Sequence, residues 1–471
     1  MAGTVQNAID KLAAVQSILD ERQEDIKGDI HLALCNAQKE VYDAVKAIQG
    51  ETGSSNTDRQ GQLERLMRSG LITWPELGAM LSGHESEIAY DVVHQLLVSD
   101  VTWREAAARH PVIVECLVGR MNVVELDDYD KCQQALHTLT WMATDCDAAK
   151  RAIMDDAHGI VPMLHSLLDE NGGGNSHVNF VGMLISELAC GMPEARVKLG
   201  DSDMIPVLVN ALRHEDSLVM DRDTVCAALA QLIEENPANQ TKLVDAGALP
   251  AVVAFLPECR AGDGEDAYDY GAMRLLANLV ENNASYRALV LSLKAHEKLI
   301  ELFEDVPDFH KEVVLRCLTG LASEYTNTVP LYDAGVLSVV ESVLTRHAEC
   351  IRLTGRVCIL VRDLTEKAPM CLVLSLCVSG IPKGLVDLLK NRFLGPVASL
   401  VHFALQDLCN LAYDPLRQKL LDVGVPAAFE ATLKDPSRGD CHKLARQGLA
   451  MLRGEPDPSK AGGRPKRARR A

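Results

Sequence analysis

Aromatic side chains make up only 4% of the 471 residues, so a core has to be built from Leu, Val, Ile and Ala. That mixture suits helix packed on helix, whereas barrels and sandwiches draw more heavily on aromatic and Thr side chains. The 14 cysteines include no C-x-x-C pair, and Cys371 and Cys377 stand six apart in the tightest spacing noted. A zinc or disulfide framework needs closer clustering, so the cysteines read as small buried hydrophobes in a reducing compartment. No apolar run reaches the roughly 18 residues that span a bilayer. Met370-Cys-Leu-Val-Leu-Ser-Leu-Cys-Val is the most apolar stretch and is too short, so no membrane insertion is expected. The first residues are amphipathic and carry acids, unlike a signal or transit peptide.

Catalytic signatures are equally scarce. There is no phosphate loop with Lys-Ser or Lys-Thr, no H-E-x-x-H and no G-x-S-x-G elbow. His31, His94, His137 and His402 stand singly on helical stretches, away from Cys or acids at ligand spacing. The expectation is a non-enzymatic protein with no cofactor, no metal and no catalytic residues.

Charge is what the chain has in excess, and it is unevenly spread. The formal charge is −19, yet Lys460 to Ala471 hold six basic groups and no acid, which leaves the rest at −25. Such a body repels nucleic acid and acidic membranes and favours basic partners.

The middle and end of the chain are periodic. Leu276-Ala-Asn-Leu recurs as Leu139-Thr-Trp-Met, Ile185-Ser-Glu-Leu, Leu229-Ala-Gln-Leu, Leu318-Thr-Gly-Leu, Val361-Arg-Asp-Leu, Leu408-Cys-Asn-Leu and Leu449-Ala-Met-Leu. Their third letters are Trp141, Glu187, Gln231, Asn278, Gly320, Asp363, Asn410 and Met451, spaced 46, 44, 47, 42, 43, 47 and 41 residues apart. A period of this length marks a solenoid, in which each unit buries its apolar face only against its neighbours.

Turn signals share the period. Gly159, Asp203, Gly247, Gly335, Gly380 and Gly424 each stand shortly before or beside a helix start, with Pro162, Pro206, Pro250, Pro382 and Pro426 opening most of the helices that follow. One such slot, near Ala295, lacks its glycine. Glycine suits a left-handed helix end, and proline suits a first helical turn, where its missing N–H has no partner to lose. Each unit therefore reads as a short helix, a turn, a middle helix and a long helix ending in the repeated core.

The division predicted is as follows. Residues 1–48 form an amphipathic cap, or a short coiled coil through which two copies would pair. Residues 49–61 are a flexible linker, 62–453 an array of eight to nine units, and 454–471 a disordered basic tail. Helices are predicted at Leu63–Arg68, Trp74–Leu81 and Ile88–Val98, the last a degenerate first repeat. The inserts beginning Asp169-Glu-Asn-Gly and Pro257-Glu-Cys-Arg read as solvated loops, and the second lacks the ligand spacing of a calcium loop.

Val244-Asp-Ala-Gly-Ala-Leu-Pro-Ala-Val-Val, followed by Phe255-Leu and Leu275-Leu-Ala-Asn-Leu-Val, resembles one armadillo repeat from end to end. Tyr332-Asp-Ala-Gly-Val-Leu and Leu421-Asp-Val-Gly-Val-Pro look like further copies, and the resemblance covers roughly residues 84–453. It implies an all-α solenoid of three-helix repeats, a right-handed superhelix and partner binding in a groove lined by the third helices. Importin-alpha-type adaptors in that family carry Trp four residues before the core Asn. The corresponding residues here are His137, Met183, Ala227, Arg274, Arg316, Ile359, Gln406 and Gln447, so this branch does not fit.

If the third core letter faces the groove, so do residues one helical turn to either side. The expected partner-binding set is Trp141, Glu187, Gln231, Glu234, Arg274, Asn278, Glu281, Arg316, Asp363, Glu366, Gln406, Asn410 and Tyr413. Amides capture the backbone of an extended peptide, and carboxylates capture its Lys and Arg. The expected function is a protein-binding scaffold for basic or extended segments. Some acidic armadillo proteins regulate small GTPases, which makes a GTPase polybasic region one alternative partner. The tail supplies another alternative: Arg464, Lys466, Arg467, Arg469 and Arg470 resemble a nuclear localisation signal, and Gly463-Arg-Pro the centre of an AT-hook. Nucleic acid contact is expected only there, in a chromatin-associated adaptor, and the location is read as cytoplasmic, nuclear or both.

Overall fold

The computed structural model describes residues 73–455 apart from 82–85, 123–128, 170–176, 215–217, 260–269, 282, 368, 391–396 and 411–413. The predicted N-terminal cap, linker, Leu63–Arg68 helix and basic tail lie outside the described residues. Among those described there is no strand.

The third helix of each unit carries the repeated core. These helices are α1 (Ser86–Ser99), α2 (Tyr129–Ala143), α3 (Val178–Ala189), α4 (Val219–Ile233), α5 (Gly271–Val280), α6 (Asp308–Ala322), α7 (Ile351–Lys367), α8 (Ala398–Asn410) and α9 (His442–Leu452). Each core places two apolar residues three apart on one helical side, and Leu139, Met142, Ile185, Leu188, Leu276, Leu279, Leu318 and Leu321 are all 0% exposed. Burying each contributes roughly 1.5–3 kcal/mol, and no single unit has the surface to do it alone. Trp74–Leu81 is helical as predicted and packs on α1, so the first described repeat supplies its second and third helices.

The residues fall into two compact units, one ending at Ala195 and the other beginning at Arg196. In the first, α1, α2 and α3 lie side by side, and Val101–Ala108 packs on Asp147–Ile153 as a layer of first helices. In the second, α4 to α9 stack in sequence. Second helices form another layer there, with Val336–Arg346 against Ile381–Lys390 and that helix against Val425–Lys434. The described residues thus form an all-α solenoid of armadillo-like three-helix repeats.

The turn slots behave largely as the spacing predicts. Gly159, Gly247, Gly335 and Gly424 are left-handed, with φ of 66°, 69°, 91° and 85°. Asp203 takes the same conformation (φ 59°), and the slot that lacked its glycine is filled by Lys294 (φ 60°). Gly380 departs from expectation. It stays out of the left-handed region because side chains close this turn: its N–H donates to Glu341 Oε1 (3.0 Å), and the Ile381 N–H donates to Ser379 Oγ (3.2 Å).

Close approach explains a glycine in a core. A Cβ on Gly320 would lie 2.7 Å from Val280 Cγ2, so only glycine lets α6 settle this near α5. The described cysteines are free, and those packed among the helices behave as hydrophobes. Burial pushes the thiols of Cys132, Cys317 and Cys358 up to about 12. No single described helix is long and apolar enough to cross a membrane, although the bent pair Leu372–Val378 and Ile381–Lys390 passes that test by length and composition together.

Candidate partner-binding face

Within each unit neighbouring third helices pack side by side, and the described residues of the predicted set lie on these helices or directly after them. The two units differ in chemistry.

The first unit is aromatic. His94 on α1 stacks on Tyr90 (6.1 Å between ring centres) and meets His137 of α2 at 5.1 Å. His137 in turn lies 6.3 Å from Phe180 of α3, edge to face. Trp141 donates from Nε1 to His137 Nε2 at 3.0 Å, so that nitrogen must be unprotonated. Burial lowers the pKa of both imidazoles, that of His94 to about 4 with a further push from His137, so the strip is uncharged at neutral pH. Beside it is an open cleft of about 240 Å³ lined by Asp130, Gln133, Gln134, His137 and Phe180. Glu187 lies half-buried one helix further on.

The second unit is polar. Asn278 is 5% exposed; its Nδ2 donates to the Ala230 carbonyl (2.9 Å) and its Oδ1 accepts from Arg316 Nη2. Gln231 is 3% exposed, with Oε1 lacking a donor. Arg316 also approaches Glu281 at 3.6 Å. Asp363 is 8% exposed, and burial holds its carboxyl above the usual aspartate range, partly offset by Lys367 and Arg362. Gln406 donates to Gln447 of α9 (3.1 Å). Arg274 is half-buried, and Glu366 is exposed without an ion pair among the described residues. Of Asn410 only the backbone is described; Tyr413 and the basic residues from Arg464 to Arg470 lie outside.

Glu234 is tied inward. Its carboxylate accepts from Arg196 Nη2 (2.7 Å) and its carbonyl from Arg196 Nη1 (2.8 Å). This pair belongs to a series the periodic reading missed. Lys150, Arg196, Gln240 and Arg287 each stand nine residues after a core third letter, and each donates to carbonyls at a third-helix end. Lys150 Nζ reaches the Cys190 carbonyl (2.7 Å), Gln240 Nε2 that of Ile233 (3.2 Å), and Arg287 those of Val280 (2.7 Å) and Glu281 (2.8 Å). Final helical carbonyls have no partner within the helix, and a cation there also meets the negative end of the dipole. A polar residue recurring nine positions past the core was the available signal.

Away from this face, a cleft of about 720 Å³ runs over the second helices of the second unit, floored by Phe303, Val339 and Leu344. Arg346 and Glu304, which also line it, pair with each other at 2.9 Å. Among the described residues no group of three or more His, Cys, Asp or Glu is placed to hold a metal ion.

Three-helix units, glycine-type turns and stacked third helices define the class as armadillo-like. A crystal structure of an engineered protein from the Northeast Structural Genomics Consortium is similar to this chain with a TM-score of 0.73 at 18% identity, over 96% of this chain and 99% of that one. A designed armadillo repeat protein in complex with the peptide (KR)4 matches with a TM-score of 0.46 at 20% identity, over 53% of this chain and 99% of that one. A computationally designed armadillo repeat protein for modular peptide recognition matches with a TM-score of 0.44, also at 20% identity, over 53% and 99% of the respective chains. No family model and no curated protein matches the chain. These likenesses bear on the fold alone.

Proposed function

We propose that the protein is a non-enzymatic scaffold that holds an extended, basic segment of a partner protein along its third-helix face. The observation that carries this reading is a row of carboxylates at the C-terminal ends of successive third helices: Glu235 after α4, Glu281 after α5, Glu324 after α6 and Glu366 in the last turn of α7. A carboxylate there faces the negative end of the helix dipole, at a cost of roughly 0.3–1 kcal/mol each. Glu281 has only a 3.6 Å approach to Arg316, and Glu366 has no ion pair among the described residues. A partner's Lys and Arg side chains would offset that repulsion. Third helices stand about 8–10 Å apart and an extended chain advances about 3.3 Å per residue, so each helix meets about three partner residues.

The test is fluorescence anisotropy with an extended Lys/Arg decapeptide. Glu281→Gln with Glu366→Gln removes two carboxylates without touching the Arg196–Glu234 pair, and affinity at low salt falls roughly tenfold, at about 0.5–1 kcal/mol per exposed pair. The difference narrows at high salt, where the Debye length drops toward about 3 Å. Unchanged affinity in the double variant would end the proposal.

A further inference from the structure

The same face of the second unit carries a charge of the opposite sign, which basic-segment binding leaves unused. Arg274, Arg316 and Arg356 lie on three consecutive third helices, α5, α6 and α7. Arg274 sits one turn before Asn278, the residue whose Oδ1 accepts from Arg316. The Arg352–Glu312 pair (3.5 Å) and the Lys367 bond to the Ser323 carbonyl (2.6 Å) fix the level of α7 against α6. Arg316, one turn past Glu312, therefore stands level with Arg356, one turn past Arg352.

Most cations nearby are balanced: Arg316 by Glu281, and Arg352 by Glu312. Arg274 and Arg356 are not. Both are half-buried, and among the described residues neither side chain forms an ion pair or hydrogen bond. Arg316 Nε is also buried without an acceptor. Two uncompensated guanidinium charges thus flank a third guanidinium, which Glu281 approaches only at 3.6 Å.

We propose that this strip is a phosphoryl site, which seats a phosphoserine or phosphothreonine of the partner segment over Arg316 between Arg274 and Arg356. A phosphomonoester side chain carries about −1.5 to −2 charges at pH 7 and three acceptor oxygens. That balances both free cations, and the planar guanidinium forks match its oxygens pairwise. A carboxylate brings one charge and leaves the second arginine unanswered. The inference rests on the third-helix face being the partner-binding face, but it uses residues of opposite sign from those that carry that reading.

The experiment uses the full chain and three degenerate peptide pools, X5-Ser-X5, X5-phosphoserine-X5 and X5-Glu-X5, so that no partner sequence is assumed. The phosphoserine pool is retained about tenfold more than the serine pool, the ratio expected for new bidentate, charge-assisted contacts. Arg274→Gln with Arg356→Gln brings the ratio close to one, whereas Lys383→Gln, an exposed cation on a second helix, leaves it intact. Circular dichroism checks folding, and the single variants carry the test if the double variant unfolds. Glu281→Gln raises phosphoserine retention by freeing Arg316 while it weakens the Lys/Arg decapeptide. A ratio near one on the unaltered chain, a ratio that survives loss of both arginines, or equal retention of the Glu pool would each overturn the phosphoryl assignment. Failure of the scaffold reading shows separately, as decapeptide binding indifferent to Glu281→Gln and Glu366→Gln.

Discussion

Arg196→Ala probes the contact that closes α4. Arg196 is 6% exposed; two of its bonds run to the carbonyl and carboxylate of Glu234, and its own carbonyl accepts from Asn239 Nδ2 at 2.8 Å. The alanine variant keeps that last bond and loses the other two. Each charge-assisted hydrogen bond contributes about 1.5–3 kcal/mol. The Glu234 side chain is 38% exposed and rehydrates in part, so the net loss is about 3 kcal/mol. Arg196→Lys supplies one donor, as Lys150 does toward Cys190, and recovers about half of it. In a repeat array the damage stays local, because each unit answers mainly to its neighbours. Native-state hydrogen exchange should therefore show protection of α4 and Pro237–Asp245 falling about a hundredfold, with α8 and α9 little changed. A loss below about 0.5 kcal/mol, the range of ordinary surface substitutions, would refute the capping argument, as would equal loss at α9.

Two further outcomes follow from the fold. Lys294→Gly relieves a left-handed lysine and raises stability by about 0.5–1 kcal/mol, the conformational strain removed less the entropy glycine adds; Asp203→Gly gains less, since aspartate tolerates that region better. Thermal unfolding decides it, and an unchanged melting temperature in Lys294→Gly contradicts the assignment. In the first unit, His94 stays neutral in the folded state down to about 4, whereas the unfolded residue takes up its proton near 6.5. Its contribution is thus complete above pH 6.5 and lost as pH falls toward 4, worth about 2 kcal/mol after allowance for the ring's partial exposure. Trp74, Trp103 and Trp141 are the chain's three tryptophans and all lie in this unit, so urea titration by tryptophan fluorescence reads it directly. His94→Phe should flatten the pH dependence in that window, and a slope no different from the unaltered chain counts against the linkage.

The repeat was legible because its signal is local. Two leucines at fixed spacing and a glycine before the next helix are dictated within one unit, and Leu276, Leu279, Gly247 and Gly335 behave accordingly. Lys294 was not legible, because nothing in a lysine announces a left-handed backbone; only the empty slot beside Ala295 did. Which residues fall on or beside the third helices could be placed by counting turns. What each side chain does there could not, because its partner lies about one repeat away in sequence. Asn278 bonds Ala230 and Arg316, and Glu234 bonds Arg196, at separations set by stacking instead of by any motif. Counting turns therefore finds candidates for a face without saying which of them are already engaged.

The closing of one module's last helix by a side chain from the module that follows it bears on how such a chain can be shuffled. Gln240 serves Ile233 and Arg287 serves Val280 and Glu281, so a cut that excises one period removes a donor from one neighbour and an acceptor from the other. Grafting or deletion along this array is expected to succeed in blocks that keep donor and recipient together, which makes the heritable building block longer than the period itself.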